Sequence, residues 1–241
     1  MSQTISSFLS EHLSDKKAIG ALNKKWLSYG ALRELKKDVH KALRKNGIAN
    51  QDRVAIVLPN GPTMATAFVT IAQCTTTAPL NPNYREDEFS FYLDDLKAKA
   101  LVVNDGYDGP AAAAAERLDI KIIRLIESDQ VAGLFSLVGD GDKDFIEDEE
   151  VCENDVALIL HTSGTTSRPK IVPLLQSNIA ASASNIAQSL SLSSADRCLN
   201  VMPLFHIHGL IAAVSASLSV GASIWCSSGF NALSFFSNLD E

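Results

Sequence analysis

The feature that most narrows the folds open to this chain is a repeated switch between two hydrophobic periods. Short β-branched runs such as Val54-Ala55-Ile56-Val57 and Leu101-Val102-Val103 alternate with longer segments whose apolar residues recur every three to four positions. Residues 31–45 show the second pattern, with Leu32, Leu35, Val39, Ala42 and Leu43 on one face, Arg44 and Lys45 at the end and Gly47 just beyond. Strand–helix units repeated in this way predict an α/β fold of mainly parallel sheets flanked by helices. Parallel neighbours need a crossover, and the crossover helix covers the sheet.

In chain order the pattern predicts a short leading helix around Phe8 and Leu9, small strands at 17–22 and 26–29, and the helix at 31–45. A strand at 53–58 is halted by Pro59-Asn60-Gly61-Pro62, and a helix at 63–72 returns. A strand at 78–80, a helix at 86–97, a strand at 100–103, an alanine-rich helix at 110–118 and a strand at 120–126 continue the alternation. Beyond an acidic stretch, strands are expected at 156–160, 170–174, 197–202 and 222–226, with helices at 177–190, 208–218 and 232–239. The chain thus divides into a first α/β part, 1–138, an acidic connection, 139–155, and a final part, 156–241.

A chain of 241 residues, 46% hydrophobic, buries on the order of 70% of the surface its unfolded form exposes. Its net charge of -7 is local: residues 139–155 hold nine acids against Lys143, so the remainder is nearly neutral. No basic stripe is left to hold nucleic acid, and the acidity reads as one solvated connection. Cys74, Cys152, Cys198 and Cys226 form no C-x-x-C pair, which fits free thiols in a reducing compartment. The first twenty residues lack an apolar signal core, and serines and Gly221 interrupt the most apolar window, 211–226. A soluble cytoplasmic protein that does not engage a membrane is expected.

The stretch with the clearest chemistry is His161-Thr162-Ser163-Gly164-Thr165-Thr166-Ser167-Arg168-Pro169-Lys170, which follows the apolar run 156–160. Five hydroxyl side chains, a glycine that lets the backbone approach an anion, and one ammonium make a nucleotide phosphate site. A Walker loop is excluded, because Pro169 stands before the lysine where that pattern needs glycine, and Ile171 follows it. The dinucleotide fingerprint fails for want of glycines. Proline also pushes Arg168 into an extended conformation, so Lys170 should leave the loop on a second strand and not on a helix.

This loop resembles that of the adenylate-forming (AMP-binding) superfamily, which includes acyl-CoA synthetases, luciferases and peptide-synthetase adenylation domains. Ser167 and Ile171 stand where that family commonly has glycine. Leu27-Ser28-Tyr29, Asp52-Arg53-Val54-Ala55 before Pro59-Asn60, Pro79-Leu80-Asn81-Pro82 and Pro203-Leu204-Phe205-His206 look like further landmarks of acyl-CoA synthetases, in the family's order. The resemblance implies an ATP-dependent acyl-CoA ligase in two steps. A carboxylate attacks the α-phosphate, pyrophosphate leaves, and the acyl group of the adenylate passes to the thiol of coenzyme A. It further implies that Thr162, Ser163, Gly164, Thr165, Thr166 and Lys170 hold the β- and γ-phosphates, with Mg²⁺ sharing their charge. Lys170 and Thr165 would act on the reacting phosphates, and His206 would lie beside the acyl carboxylate as a hydrogen-bonding wall.

Residues 201–210 contain no acid to pair with an ammonium group, which disfavours an amino-acid substrate and leaves a small carboxylic acid, as in fatty acid metabolism. His206 and His208, taken as neighbours on one side of an extended segment, supply too few ligands for zinc. The later adenine, ribose and catalytic-lysine motifs of the family are not among the 241 residues, so the resemblance is to an incomplete N-terminal domain of the acyl-CoA synthetase type. A nucleotide- or acyl-binding remnant, or a subunit completed by another chain, is the second functional class. A sheet cut partway is also expected to self-associate through its open edge.

Overall fold

A computed structural model describes residues 3–141, 150–162, 169–233 and 235–239. The predicted alternation is realised as two sheets that share one hydrophobic core. The larger has seven strands: Arg53–Val57 (β3), Thr76–Pro79 (β4), Ala100–Asn104 (β5), Lys121–Glu127 (β6), Phe135–Val138 (β7), Val156–Thr162 (β8) and Lys170–Leu175 (β9). Their spatial order is β7-β6-β5-β3-β4-β8-β9, parallel from β6 through β8 and antiparallel at both ends. The smaller sheet orders Arg197–Asn200 (β10), Ser223–Cys226 (β11), Lys17–Gly20 (β1) and Leu27–Ser28 (β2), with only β1 and β2 antiparallel. Segments on either side of the acidic connection therefore contribute to both sheets.

The central strands are buried on both faces, as a parallel sheet under helices requires. Val54 and Ile56 of β3 enter one core, while Ala55 and Val57 enter the other. The second core is covered by Glu86–Leu96 (α4) and Pro110–Arg117 (α5), through Phe89, Leu93, Leu96 and Ala111. On the first face lie Tyr29–Lys45 (α2) and Pro62–Ala72 (α3). Helix α2 starts where Ser28 caps Ala31 N–H at 3.1 Å and ends at Gly47, whose φ of 78° suits glycine.

Helix α3 is buried at every position from Thr63 to Ala72, because β4 touches one of its sides and β1 and β11 touch another. Its hydroxyls are satisfied internally. Thr70 Oγ1 donates to Thr66 O at 2.7 Å, and Thr66 Oγ1 donates to Gly133 O at 2.6 Å. Gln176, 1% exposed, opens the helix Gln176–Ser189 (α6) and joins two helix ends that would otherwise be orphaned. Its Oε1 accepts Ile5 N–H at 3.2 Å at the start of Ile5–Ser10 (α1), and its Nε2 donates to Ala72 O at 2.5 Å at the end of α3.

The structure departs from the sequence reading where short local signals competed. The strand expected to run to residue 22 stops at Gly20, and Tyr29 belongs to α2 instead of a strand. Tyr29 is fully buried and donates to Ala222 O at 2.7 Å, so it ties the start of α2 to the start of β11. Strand β7 was not expected: it pairs antiparallel with β6 after a turn held by Lys25, whose N–H reaches Gln130 O at 2.8 Å. The segment expected as one helix at 208–218 is a π-helix, His208–Ser215, passing into Ala216–Ser219 (α7). The last helix is Phe235–Leu239 (α8), shorter than expected. Residues 142–149 of the acidic connection lie outside the described residues.

Replacing Gln176 by leucine leaves Ile5 N–H and Ala72 C=O buried and unpaired, and is expected to cost about 2–4 kcal/mol, read as a lower urea midpoint at unchanged slope.

Candidate active site

Open α/β sheets place ligands at the carboxyl ends of their strands, at the point where successive crossovers change direction. Here β4 lies on one side of β3, whereas β5 crosses to the other side. The loops that follow β3 and β4 both line a cavity of about 760 Å³, through Pro59, Asn60, Pro82 and Asn83. The opposite wall comes from the carboxyl ends of the smaller sheet: Met202, Pro203 and Phe205 after β10, and Ser228 to Phe230 after β11. A groove of similar volume, about 760 Å³, between α1 and α6 touches none of these strand ends.

Asn60 locks the two sheets together at this cavity. Its Oδ1 accepts Leu204 N–H at 2.9 Å and its Nδ2 donates to Ser227 O at 3.2 Å. Both amide functions are used, so the loop after β3 fixes the loops after β10 and β11 in one plane. Asn200 closes the same corner from below, accepting Met202 N–H at 3.2 Å on its side chain and Ser227 Oγ at 3.0 Å on its carbonyl. The sequence marked Asn60 as part of a chain-breaking cluster and, with Pro59, as a family landmark, without assigning it a structural role. Its partners lie 144 and 167 residues away, so no local pattern announces them.

Pro203-Leu204-Phe205-His206 follows β10 as expected, but as a turn and not as an extended segment. His206 N–H reaches back to Pro203 O at 3.3 Å, and Leu204 plugs the turn into the core at 1% exposure. His206 and His208 therefore do not project side by side, because His208 already begins the π-helix. His206 stands exposed with its ring 4.5 Å from that of Phe205, and it is Phe205 that lines the cavity. Gly209 lets the π-helix start against the turn, since a Cβ there would sit 2.6 Å from Pro203 O. Ser215 Oγ donates to Leu210 O at 2.8 Å, a five-residue reach that suits the wider π-turn.

Lys170 leaves the loop on a strand, as proline before it requires. Strand β9 pairs antiparallel with β8, and the final rung of that ladder sets Thr162 opposite Lys170. Both are exposed, and among the described residues Lys170 has no hydrogen-bond or ion-pair partner. The base of the hairpin is fixed by β4: Thr76 Oγ1 donates to Val156 O at 2.7 Å and Thr77 Oγ1 to Ala157 O at 2.8 Å. Ser163, Gly164, Thr165, Thr166, Ser167 and Arg168 lie outside the described residues. The structure therefore brings Thr162 and Lys170 together at one strand end. His206 belongs to the other sheet, on the far side of the Asn60 tie.

Comparison with known proteins bears on this geometry. The chain is 36% identical over 230 residues to an oxalate–CoA ligase of Arabidopsis thaliana, covering 92% of this chain and 45% of that protein. It is 35% identical over 232 residues to a probable CoA ligase of Humulus lupulus, covering 94% of this chain and 44% of that one. In fold it matches the crystal structure of apo MatB from Rhodopseudomonas palustris with a TM-score of 0.79 and 22% identity, over 96% of this chain and 46% of that one. The chain thus spans less than half the length of each. The AMP-binding enzyme family matches residues 9–240, nearly the whole sequence, and the chain belongs to that family.

Proposed function

We propose that this chain serves ATP-dependent activation of a small carboxylic acid through an acyl-adenylate, followed by thioester formation with coenzyme A. The observation that carries the reading is the terminal rung of the β8–β9 hairpin, where an ammonium without a partner among the described residues stands opposite a hydroxyl at the carboxyl end of a sheet strand, in the same sheet whose β3 and β4 loops line the cavity. Lys170 and Thr162 are the described members of a triphosphate cradle that Ser163, Gly164, Thr165 and Thr166 would complete. A carboxylate oxygen of the acid attacks the α-phosphorus, the bond to the bridging oxygen breaks, and pyrophosphate departs with its electron pair. Lys170 offsets the charge that accumulates on that leaving group. Mg²⁺ would ride on the phosphate oxygens, since the described hairpin residues include no carboxylate to hold it alone.

The cavity supports an acid without an ammonium group, because its described lining carries no charged side chain. Oxalate, named for the Arabidopsis relative, belongs to the small-acid class. His206 and Phe205 would close the carboxylate end, and the uncharged Ser228–Gly229 edge is where the thiol of coenzyme A would approach. The second reading is nucleotide and acyl binding without turnover. Among the described residues no helix is long and apolar enough to cross a membrane.

Carboxylate-dependent exchange of pyrophosphate into ATP tests the first reading against the second, since a binding remnant holds ATP without exchange. Lys170→Ala is expected to lower that exchange by about 10²–10³-fold, while an unchanged rate removes the phosphate role from the hairpin. Leu233 and Phe236, 96% and 74% exposed, support self-association of the chain. Light scattering is expected to show oligomers that a Leu233→Ser, Phe236→Ser variant reduces, and monodisperse wild-type monomers would remove that expectation.

A further inference from the structure

The end of β8 carries a set of contacts that the phosphate cradle itself does not use. His161 Nε2 lies 3.1 Å from Asp95 Oδ2 on α4, and the imidazole is 6% exposed whereas Asp95 is 39% exposed. The ring meets Tyr92 edge-on, with centroids 4.6 Å apart, and Tyr92 stacks on Tyr84 at 4.8 Å. Burial lowers the pKa of His161 below its ordinary value, and the neighbouring Asp95 opposes this less strongly. The imidazole is then neutral near pH 7, and beside a carboxylate a neutral ring must carry its proton on Nε2 and donate it.

The surrounding groups leave Asp95 as the ring's hydrogen-bond acceptor. Across the β8–β9 ladder His161 faces the apolar Ile171, and Lys170 is one rung further on, opposite Thr162. On α4, Glu88 acts on Tyr84, whose phenol is raised chiefly by burial and then by its hydrogen bond with Tyr92. Alternation along a strand puts His161 on the same face as Ile159, which packs in the core under α4, and sends Thr162 to the opposite face. Fixing the His161 ring therefore fixes the rotation of the strand at its last rung, the position most prone to fray where β9 is an edge strand. Tyr84 extends the same contact to the loop whose Pro82 and Asn83 line the cavity.

We propose that His161 and Asp95 are a positioning pair, whose hydrogen bond clamps the end of β8 to α4 so that Thr162 and Lys170 meet the triphosphate as one rigid unit. The inference rests on the phosphate role of the hairpin. Its test is the affinity of the full chain for ATP with magnesium, measured by calorimetry on wild type, His161→Phe, Asp95→Ala, the double variant and His161→Gln. His161→Phe keeps an aromatic ring against Tyr92 but cannot donate, and Asp95→Ala removes the acceptor. Each is expected to weaken ATP binding about tenfold.

The double variant is expected to be no weaker than either single one, because the two substitutions remove one interaction. His161→Gln, whose amide can still donate to Asp95, should recover most of the loss. Circular dichroism verifies that each variant is folded, and a role confined to packing would shift the melting temperature without this coupled change in affinity. Folded variants that bind ATP like wild type, or single effects that add in the double variant, overturn the pair. Failure of wild type to bind ATP removes the phosphate reading and the inference with it, a result distinguishable because it precedes any substitution.

Discussion

The site depends on two sheets being held with their carboxyl ends side by side, and the wholly buried helix α3 is what holds them. It packs against β4 of the larger sheet and β1 and β11 of the smaller one within one core, so neither sheet can rotate without opening that core. An interior helix ordinarily excludes polar residues, yet Thr63, Thr66 and Thr70 lie within this one. The buried hydroxyl of Thr70 donates to Thr66 O one turn back at 2.7 Å and that of Thr66 to Gly133 O at 2.6 Å, so little desolvation cost remains uncompensated. Gln176 extends the same logic to the helix ends, serving α1 and α3 with one amide.

With the sheets fixed, a single side chain can set the geometry of the cavity. Asn60 is suited to this because an amide donates and accepts from opposite sides of one rigid plane. Aspartate would keep the bond from Leu204 N–H but place a charge against Ser227 O, and leucine would lose both. The residue after β3 must therefore be read with the two loops it joins. The cavity is a property of the junction and of neither sheet alone.

Much of this was legible in the sequence because the strongest periodicities belong to the most buried elements. The β3 and β5 runs and the face of α2 are buried in the structure, and burial is what made their patterns regular. The Pro-Lys exit of the loop was legible for a covalent reason, since proline restricts the residue before it whatever the tertiary context. Strand β7 was not legible: four residues with only Phe135 fully buried give too short an alternation beside the acidic stretch. The π-helix escaped because Leu210, Ile211 and Val214 fit an α-helical face equally well. What widens the turn is a glycine packed on Pro203 O and a serine reaching Leu210 O, contacts that hydrophobic period cannot encode.

The hairpin also differs in its electrostatics from the phosphate sites that sequence patterns usually identify. A Walker loop opens a helix, so the positive end of the helix dipole faces the anion. Here the chain after Lys170 continues as β9, and the next helix, α6, begins at Gln176. Six residues of extended chain put that helix start roughly 20 Å from Lys170, toward the amino end of β8. No dipole from α6 reaches Lys170 at that distance. On the proposed phosphate role the attraction would rest on the ammonium, which makes the rigidity of the last described rung more important than in a helix-capped site. An acid as near as Asp95 is tolerable at this strand end because its carboxylate is engaged by the His161 imidazole, which burial keeps neutral.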